Sequence, residues 1–353
     1  MTRVSFLNAV ATAAPDHDVH AAFEGWARAR LDARAARVFE RMATRSGIRH
    51  RWSVLPRAEQ GGSPVMPGGF YAADWPGTAA RMRVYAEAAP ALAIAAIDRL
   101  GLSLDGVTHL VVASCTGFVA PGIDQIVARA IGLAPSVERT LIGFMGCYAA
   151  VAALRTARHI VRSEPDARVL VVCVELSTLH LQETRSLESL LAMLQFGDGA
   201  AAALVTAEPR GFELRQPFAT TLAYSDALIR WDITDQGFAM TLSGEVPGRI
   251  AAALADPETA PLVTGGHDPA GIDGWAVHAG GRSILDAVEH GLELPADALQ
   301  ASRSVLANYG NMSSATLMFV LARMLEGPPV RSGVALAFGP GLAAEGFAFG
   351  SAA

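Results

Sequence analysis

The sequence has 353 residues, of which 51% are hydrophobic and 18% are charged, so the chain can bury a large core and is not disordered. A net charge of −6 without a long basic run argues against a general nucleic-acid binder, and no apolar run is long enough for stable membrane insertion. Neither a disulfide framework nor a zinc or other metal site is expected, because no CxxC pair occurs among the three cysteines, Cys115, Cys147 and Cys173.

The chain opens with a short apolar run, "VSFLNAV", that Asn8 interrupts. This run is too short and too broken for a signal peptide and predicts a first strand that enters a turn at Pro15. We therefore expect a cytoplasmic protein.

The next pattern is basic: "RVFERMATRSGIRHRW" contains Arg37, Arg41, Arg45 and Arg49, spaced every four residues. This spacing places the four arginines along one side of a helix. The spacing alone favours a solvated helix face. The alternative is a site for a phosphorylated small molecule, because guanidinium groups pair well with phosphate.

Two apolar runs in the first half, residues 108–114 ("THLVVAS") and 167–176 ("ARVLVVCVEL"), are typical of buried strands. Helix-like stretches lie between them, and a third strand candidate, "AAAALVTAE", follows "FGDG". Strands that alternate with helices indicate an α/β architecture.

The second half repeats this scheme. "GWAVHAGG" predicts a strand and a loop, "RSILDAVEHGLEL" a helix, "YGNMSSATLMFVLARML" an apolar helix, and "SGVALAFGPGLAAEGFAF" a hairpin. The pairing suggests an internal duplication in which Asn311 occupies the place of Cys147. We predict that the halves comprise residues 1–210 and 211–353.

Cys147 follows Gly146 and precedes a helix-favouring run. A sulfur in the first turn of a helix lies near free backbone N–H groups and the positive end of the helix dipole, which lower the pKa of a thiol. A small buried hydrophobe is the equally weighted alternative, because free cysteine is often buried.

His278 and Asn311 are the candidate partners of Cys147. His278 ends a strand before paired glycines, so it is a candidate base or oxyanion donor, or else a core histidine. Asn311 lies at a helix start, where it either caps the helix or donates to a developing negative oxygen. Together the three residues predict a nucleophile with two oxyanion donors.

These residues lie in motifs by which the chain resembles the thiolase-like condensing enzymes and, within them, the type III polyketide synthases (the chalcone and stilbene synthase family). The resemblance runs over nearly the whole chain, in order and with similar spacing. The motifs that carry it are "GCYAAVAALR", "FGDGAAAALV", "VHAGGRSILDAVE", "YGNMSSAT" and "FGPGL".

The resemblance implies a five-layered αβαβα thiolase-like fold with two duplicated halves, an acyltransferase activity and a homodimer. It also implies that Cys147 takes an acyl group from acyl-CoA and that His278 helps to hold the cysteine as thiolate. His278 and Asn311 would stabilise the enolate that forms when malonyl-CoA loses CO2. No cofactor is expected besides these CoA thioester substrates.

The resemblance further implies substrate-binding positions. Arg41 and Arg45 match residues that bind CoA phosphates, and Ser283 matches a position whose backbone contacts CoA. Phe196 and Met240 match the two gatekeepers of the substrate cavity. Further cavity positions match Cys115, His180, Trp231 and Ser313, for which ordinary core packing is the alternative.

The local sequence looks most like bacterial enzymes that extend long-chain fatty acyl primers to alkylresorcinols or alkylpyrones. We favour an alkylresorcinol, since the bulky Trp231 would bias how the chain folds before it closes. The alternatives are a single condensation like that of β-ketoacyl synthase III, a type III synthase with short or aromatic primers, and a non-enzymatic binding protein. The last is disfavoured by the intact Cys147, His278 and Asn311.

Overall fold

The computed structural model describes residues 4–58, 62–72 and 74–353. The strands are β1 Phe6–Ala13, β2 His17–Asp18, β3 Trp52–Ser53, β4 His109–Ser114, β5 Glu138–Gly143, β6 Val169–Leu176, β7 Asp198–Thr206, β8 Phe212–Thr221, β9 Ile229–Thr234, β10 Gly237–Leu242, β11 Gly274–Val277, β12 Gly333–Gly339 and β13 Ala343–Ser351. The α-helices are α1 His20–Arg28, α2 Ala33–Ser46, α3 Thr78–Asp98, α4 Ile123–Ala130, α5 Ala149–Ser163, α6 Leu187–Met193, α7 Val246–Leu254, α8 Ala260–Thr264, α9 Arg282–Gly291, α10 Gln300–Tyr309 and α11 Ser314–Leu325. Single 3₁₀ turns occupy Gly146–Tyr148, Ser177–His180, Pro269–Gly271 and Pro340–Leu342.

Nine strands form one mixed sheet in the order β11-β12-β13-β8-β1-β7-β6-β4-β5. The two halves of the chain meet in it only where β1 pairs with β8, at Phe6 with Glu213 and at Leu7 with Phe212. Two short ladders, β2 with β3 and β9 with β10, lie outside this sheet. The continuous sheet therefore joins two sets of strands through a very short seam.

The two sets have the same pairing scheme. In the first half β4 runs parallel to β6, β6 antiparallel to β7, and β7 antiparallel to β1. In the second half β11 runs parallel to β12, β12 antiparallel to β13, and β13 antiparallel to β8. The predicted duplication is thus confirmed, with β5 as an additional edge strand of the first half.

The core confirms the predicted five layers. Helices α5 and α11 lie between the two sets of strands, and one buried cluster combines them with the inward side chains of both halves. Because side chains alternate along a strand, the other face of each set is buried separately. Helices α3 and α4 cover the first half, and α7, α9 and α10 cover the second.

The sequence predicted these elements well. The runs 108–114 and 167–176 form β4 and β6, and the Gly-punctuated hairpin forms β12 and β13. One difference concerns the arginine row: α2 ends at Ser46 because Gly47 adopts φ 73°, so Arg49 lies beyond the helix. Within the described ranges, no helix has both the length and the apolar composition of a membrane span. The division at 210 falls in the turn between β7 and β8 and stays a prediction.

Candidate active site

The structure places Cys147, His278 and Asn311 in three connecting segments, one from the first half of the chain and two from the second. Cys147 lies in the 3₁₀ turn before α5, His278 directly after β11, and Asn311 between α10 and α11. Asn311 Nδ2 donates to the Gly280 carbonyl at 3.1 Å, and a Cβ on Gly280 would lie 3.4 Å from His278 Nε2. The Asn311 amide also interacts with the Cys147 thiol. The duplicated fold therefore assembles the predicted trio.

The backbone of the cysteine turn is held from two sides. Gly146 has φ 77°, and a Cβ there would lie 2.4 Å from Cδ of Pro340, so glycine is required both by conformation and by space. The Gly146 N–H donates to Cys115 Sγ at 2.9 Å. Gly339 lies against Cys147 from the second half, where a Cβ would be 3.4 Å from its backbone nitrogen. The "FGPGL" motif thus packs directly on the turn that presents the sulfur.

The thiol and the imidazole are both uncharged at neutral pH in this structure. Burial raises the pKa of Cys147 to about 11; Ser313 and Asn311 oppose this, and the Glu175 carboxylate adds to it. Burial lowers the pKa of His278 to about 3. The expectation of a lowered thiol pKa at the helix start is therefore not met here, because desolvation outweighs the polar groups around the sulfur.

The His278 imidazole is not used in the hydrogen bonding of the described chain. Both ring nitrogens are buried, and neither has a hydrogen-bond partner among the described residues, so the imidazole is not bonded to the Cys147 thiol. Asn311 is oriented by two contacts: its Nδ2 donates to Gly280, and its Oδ1 accepts from the Ser313 N–H at 2.8 Å. Buried polar groups without partners are rare in proteins. The unpartnered imidazole beside an oriented amide suits a negatively charged oxygen.

A cavity of about 280 Å³ lies next to the trio, and four of the predicted pocket residues line it: His180, Phe196, Trp231 and Met240. Phe196 adjoins Asn311, since the Asn311 N–H donates to the Gln195 carbonyl at 2.7 Å. Phe196 therefore lines the cavity and its backbone pairs with that of Asn311, whereas its role as a gatekeeper stays a prediction.

His180 and Trp231 are fixed in the cavity wall by hydrogen bonds. His180 Nδ1 accepts from the Phe238 N–H at 3.0 Å, so Nε2 carries the proton and donates to the Thr116 carbonyl at 2.7 Å. The His180 and Phe238 rings stack with centroids 4.2 Å apart. Trp231 Nε1 donates to the Cys115 carbonyl at 3.2 Å. These side chains give the cavity a rigid shape.

Two residues that the resemblance assigned to the cavity lie elsewhere. Cys115 and Ser313 are not among the residues that line the cavity. Cys115 is buried under the cysteine turn, where its sulfur contacts Gly146. Ser313, at φ 45°, interacts through its side chain with the Cys147 thiol. Both residues therefore contact the turn that carries Cys147 and not the wall of this cavity.

The expected CoA-binding residues are only partly brought together. Arg45 and Ser283 line one surface depression of about 240 Å³, and Arg282 there donates from Nη1 to the Arg45 carbonyl at 3.1 Å. Arg41 is exposed on the same helix but does not line the depression. Gln195 also lines it and bonds to Asn311 through its carbonyl, which connects the depression to the trio.

Glu175 was missed by the sequence reasoning. Its carboxylate is fully buried and accepts from the Cys115 N–H at 3.0 Å and from Thr116 Oγ1 at 2.9 Å; Ser314 Oγ donates to its other oxygen. Burial raises the pKa of Glu175 to about 7. The available signal was a single acidic residue within the otherwise apolar strand "VLVVCVEL".

Comparison with known families covers almost the whole chain. The family model for the N-terminal domain of chalcone and stilbene synthases matches residues 5–209, and the model for their C-terminal domain matches residues 213–353. The chain is 36% identical over 251 residues to "alpha-pyrone synthesis polyketide synthase-like Pks18" of Mycobacterium tuberculosis. This match covers 68% of the chain and 64% of the relative, so it spans slightly under two thirds of the relative's length.

Solved structures agree with these matches. The chain superposes on PKS-I from the brown alga Ectocarpus siliculosus with a TM-score of 0.89 and 30% identity, over 99% of both chains. The C-terminal type III polyketide synthase domain of Steely1 from Dictyostelium has a TM-score of 0.86 at 24% identity, over 99% of this chain and 100% of that one. The second likeness supports the fold alone.

Proposed function

Because the chain belongs to the chalcone and stilbene synthase family, that of the type III polyketide synthases, we propose that it loads an acyl-CoA primer onto Cys147 and extends it with malonyl-CoA. One observation carries this proposal: a buried thiol interacts with an oriented amide, and that amide bonds to the loop of an imidazole whose two nitrogens have no partner in the described chain. A thioester enolate needs such preorganised neutral donors.

The proposed loading step begins with transfer of the Cys147 proton to His278. The thiolate attacks the carbonyl of acyl-CoA, the acyl–sulfur bond to CoA breaks, and the proton leaves with the CoA thiol. The buried thiol holds its proton and the imidazole is neutral in this structure, so we propose that the transfer takes place once the substrate is bound.

Extension uses the same two donors. The carboxylate of malonyl-CoA leaves as CO2, and the electron pair of the broken carbon–carbon bond passes to the thioester as an enolate. We propose that His278 Nε2–H and the second N–H of Asn311 hold the enolate oxygen. The enolate carbon then attacks the acyl group on Cys147, which releases the sulfur. These steps require no metal or redox cofactor.

We assign the CoA moiety to the surface depression that Arg45 and Ser283 line. Arg45 in this depression makes no ion pair with a described residue, so its guanidinium group can bind a phosphate of CoA. Arg45→Ala should raise KM for the acyl-CoA by about tenfold and leave kcat nearly unchanged, because the contact is remote from the reacting atoms. Arg37→Ala, on the same helix but outside the depression, is the matched control.

For the primer we propose a long-chain fatty acyl group. The cavity wall is mostly apolar, with Val19, Phe23, Leu55 and Met193 in addition to the gatekeepers. Met240 supports this choice, because a flexible thioether leaves a more adaptable wall than an aromatic ring.

For the product we propose an alkylpyrone or an alkylresorcinol. The name of the relative Pks18 refers to alpha-pyrone synthesis, which favours the pyrone. The anchored Trp231 narrows the space in which the chain folds, which is the argument for the resorcinol. The two products differ in whether ring closure forms a carbon–oxygen or a carbon–carbon bond, so mass and fragmentation distinguish them.

The decisive experiment supplies radiolabelled malonyl-CoA with primers from acetyl-CoA to stearoyl-CoA and identifies the products by mass. We expect several extensions and the highest kcat/KM with long acyl chains. A linear β-ketoacyl product from one extension would establish the β-ketoacyl synthase III-like alternative. Extension of only short or aromatic primers would contradict the long-chain assignment.

The matched control for this experiment concerns the nucleophile. Cys147→Ala should abolish the acyl adduct seen by intact-protein mass spectrometry, whereas Cys173→Ala, in the core, should retain it. Turnover by Cys147→Ala would reject the mechanism.

We also propose that the protein is a cytoplasmic homodimer. The edge strand β5 is mostly exposed, and the large apolar side chains of Leu141 and Phe118 are 44% and 46% exposed beside it. Apolar groups of this kind at a sheet edge are suited to burial against a second copy. Light scattering after size exclusion should give twice the chain mass.

A further inference from the structure

Arg51 is a buried cation in the wall of the cavity. Arg51 is 3% exposed, and its guanidinium carbon lies 4.6 Å from the centroid of the Phe23 ring. Nη1 donates to the carbonyls of Met193 at 3.1 Å and Phe196 at 2.7 Å, so this nitrogen holds the end of α6 and the gatekeeper. Nε donates to Nδ1 of His20 at 2.9 Å.

The second terminal nitrogen of Arg51, Nη2, makes no hydrogen bond like those of Nη1 and Nε. Nη2 is buried and has no hydrogen-bond partner in residues 4–58, 62–72 and 74–353. The contacts of the guanidinium are to neutral groups, because burial and Arg51 lower the pKa of His20 to about 4. Asp18, Glu24 and Asp198 balance the charge from nearby without bonding to Nη2, so this buried donor still lacks an acceptor, which is unfavourable unless another group supplies one.

Ser177 has the same property in the same cavity. It is 6% exposed, lies just after β6, and its Oγ is buried without a partner among the described residues. Both Arg51 and Ser177 line the cavity next to Phe196. Ser5 and Arg81 also have an unpartnered buried atom, but they do not line it.

We propose that Arg51 Nη2 and Ser177 Oγ form an oxygen-binding subsite that recognises the β-dicarbonyl group of the extended acyl chain. This inference rests on the proposed function and deepens it. A 1,3-dicarbonyl in its enolised form offers acceptor oxygens and partial negative charge, which a guanidinium and a hydroxyl complement. A plain alkyl primer offers neither.

The subsite gives Arg51 a role in specificity. By binding oxygen atoms that appear only after extension, it holds a lengthened chain in the cavity in preference to the unextended primer. Because Arg51 also bonds to the Phe196 carbonyl, the same side chain couples an occupied subsite to the gatekeeper. Arg51 is thus a positioning residue and not a catalytic one.

The test measures binding by isothermal titration calorimetry with two probes of equal length, undecane-2,4-dione and undecan-2-one. We expect the wild-type protein to bind the diketone at least about tenfold more tightly than the monoketone. Ser177→Ala should reduce this preference roughly threefold to tenfold, and Arg51→Lys, which keeps the charge but not the guanidinium, by about tenfold.

Ser5→Ala is the matched control, since it alters an unpartnered buried group outside the cavity wall. It should keep the wild-type preference. Ser177→Ala deletes no bond to a described residue, so it keeps the test valid if Arg51→Lys does not fold.

A wild-type protein without preference for the diketone, or an unchanged preference in Ser177→Ala, would overturn the subsite. Polyketide formation in the labelled-malonyl assay separates this failure from failure of the proposed function. Products with several extensions but no diketone preference would refute the subsite alone. Absence of any extension would refute the function.

Discussion

Burial disfavours the charged form of both Cys147 and His278. At neutral pH the thiol, with a pKa of about 11, is protonated, and the imidazole, with a pKa of about 3, is neutral. Moving the proton from sulfur to nitrogen creates two opposite charges that stabilise each other in a medium of low dielectric. The proposed mechanism therefore depends on the pair and not on either residue alone.

His278→Gln isolates the thiol and tests this dependence. Without a proton acceptor Cys147 keeps its raised pKa, so its alkylation by iodoacetamide should increase about tenfold per pH unit and not level off below pH 10. In the wild-type protein, whose thiol has the same raised pKa, His278 can accept the proton as the sulfur reacts, so alkylation at neutral pH should be faster than in the variant. Coincident pH profiles for the two proteins would show that His278 does not accept the proton.

The raised pKa of Glu175 predicts how the free energy of unfolding depends on pH. Its folded-state pKa of about 7 exceeds the ordinary value of 4.5, so the folded state binds this proton more tightly than the unfolded state does. The resulting stability is present below pH 4.5 and is lost as the pH rises to about 7. The loss amounts to roughly 3 kcal/mol, at about 1.4 kcal/mol per pKa unit.

Glu175→Gln should remove this dependence. The amide oxygen of the introduced glutamine can accept hydrogen bonds from the Cys115 N–H and the Thr116 hydroxyl, and its NH2 can donate to the Ser314 hydroxyl. The uncharged side chain therefore fits the same contacts. The free energies of unfolding of the two proteins are measured by urea denaturation at pH 5 and pH 8. From pH 5 to pH 8, the wild-type protein should lose stability relative to the variant. An equal difference at both pH values would contradict the buried, protonated state.

At the scale of single residues, the sequence singled out the three candidate residues, whose catalytic roles stay a prediction, but not the groups that contact them in the fold. Cys147, His278 and Asn311 are adjacent to glycine motifs that identify them. Glu175 and Arg51 contact these motifs only through the fold, over long sequence separations. No local pattern records such contacts.

At the scale of elements, the turn at Gly146 joins the two halves of the chain. Gly146→Ala would place a left-handed φ on alanine and drive its Cβ into Pro340. Gly132 has a similar φ of 72° with open space around it, so Gly132→Ala carries the backbone cost alone, about 1–2 kcal/mol.

We expect Gly146→Ala to lower the free energy of unfolding by more than Gly132→Ala does and to reduce kcat at least about tenfold, because the sulfur is displaced. Chemical denaturation and primer-dependent turnover measure the two effects. Equal destabilisation by both substitutions would mean that the contact with Pro340 is not tight.

Helices and strands were predictable where the local sequence has a clear pattern, such as a glycine at a helix end or a run of apolar residues. Gly47 in the left-handed region ends α2 and leaves Arg49 outside it. Continuous apolar runs identified β4, β6 and β12, because these strands are buried on both faces. Strand β5 was missed, since five of its six residues are exposed and it has no such pattern.

At the scale of the whole molecule, the two halves are not independent. Their shared core cluster contains α5 from the first half and α11 from the second, and α11 packs on β1, β6 and β7. Either half alone would expose this apolar layer. The duplicated architecture was predictable from repeated motifs, whereas the continuous sheet depends on two residue pairs between β1 and β8 that carry no sequence signal.

We therefore predict one cooperative unfolding transition for the full chain. Calorimetry should show a single peak, and the fragments 1–210 and 211–353 expressed separately should bind a hydrophobic dye and lack a cooperative transition. Two resolved transitions, or a fragment that unfolds cooperatively, would show that the halves fold as separate units.

The equivalent positions of Cys147 and Asn311 have a consequence for stoichiometry. Each half begins its central helix with a glycine followed by a functional residue, but only the first half has a nucleophile there. In the proposed mechanism, one chain is therefore titrated by a single equivalent of acyl donor, and the second copy of the motif supplies a hydrogen-bond donor to the reaction at the first.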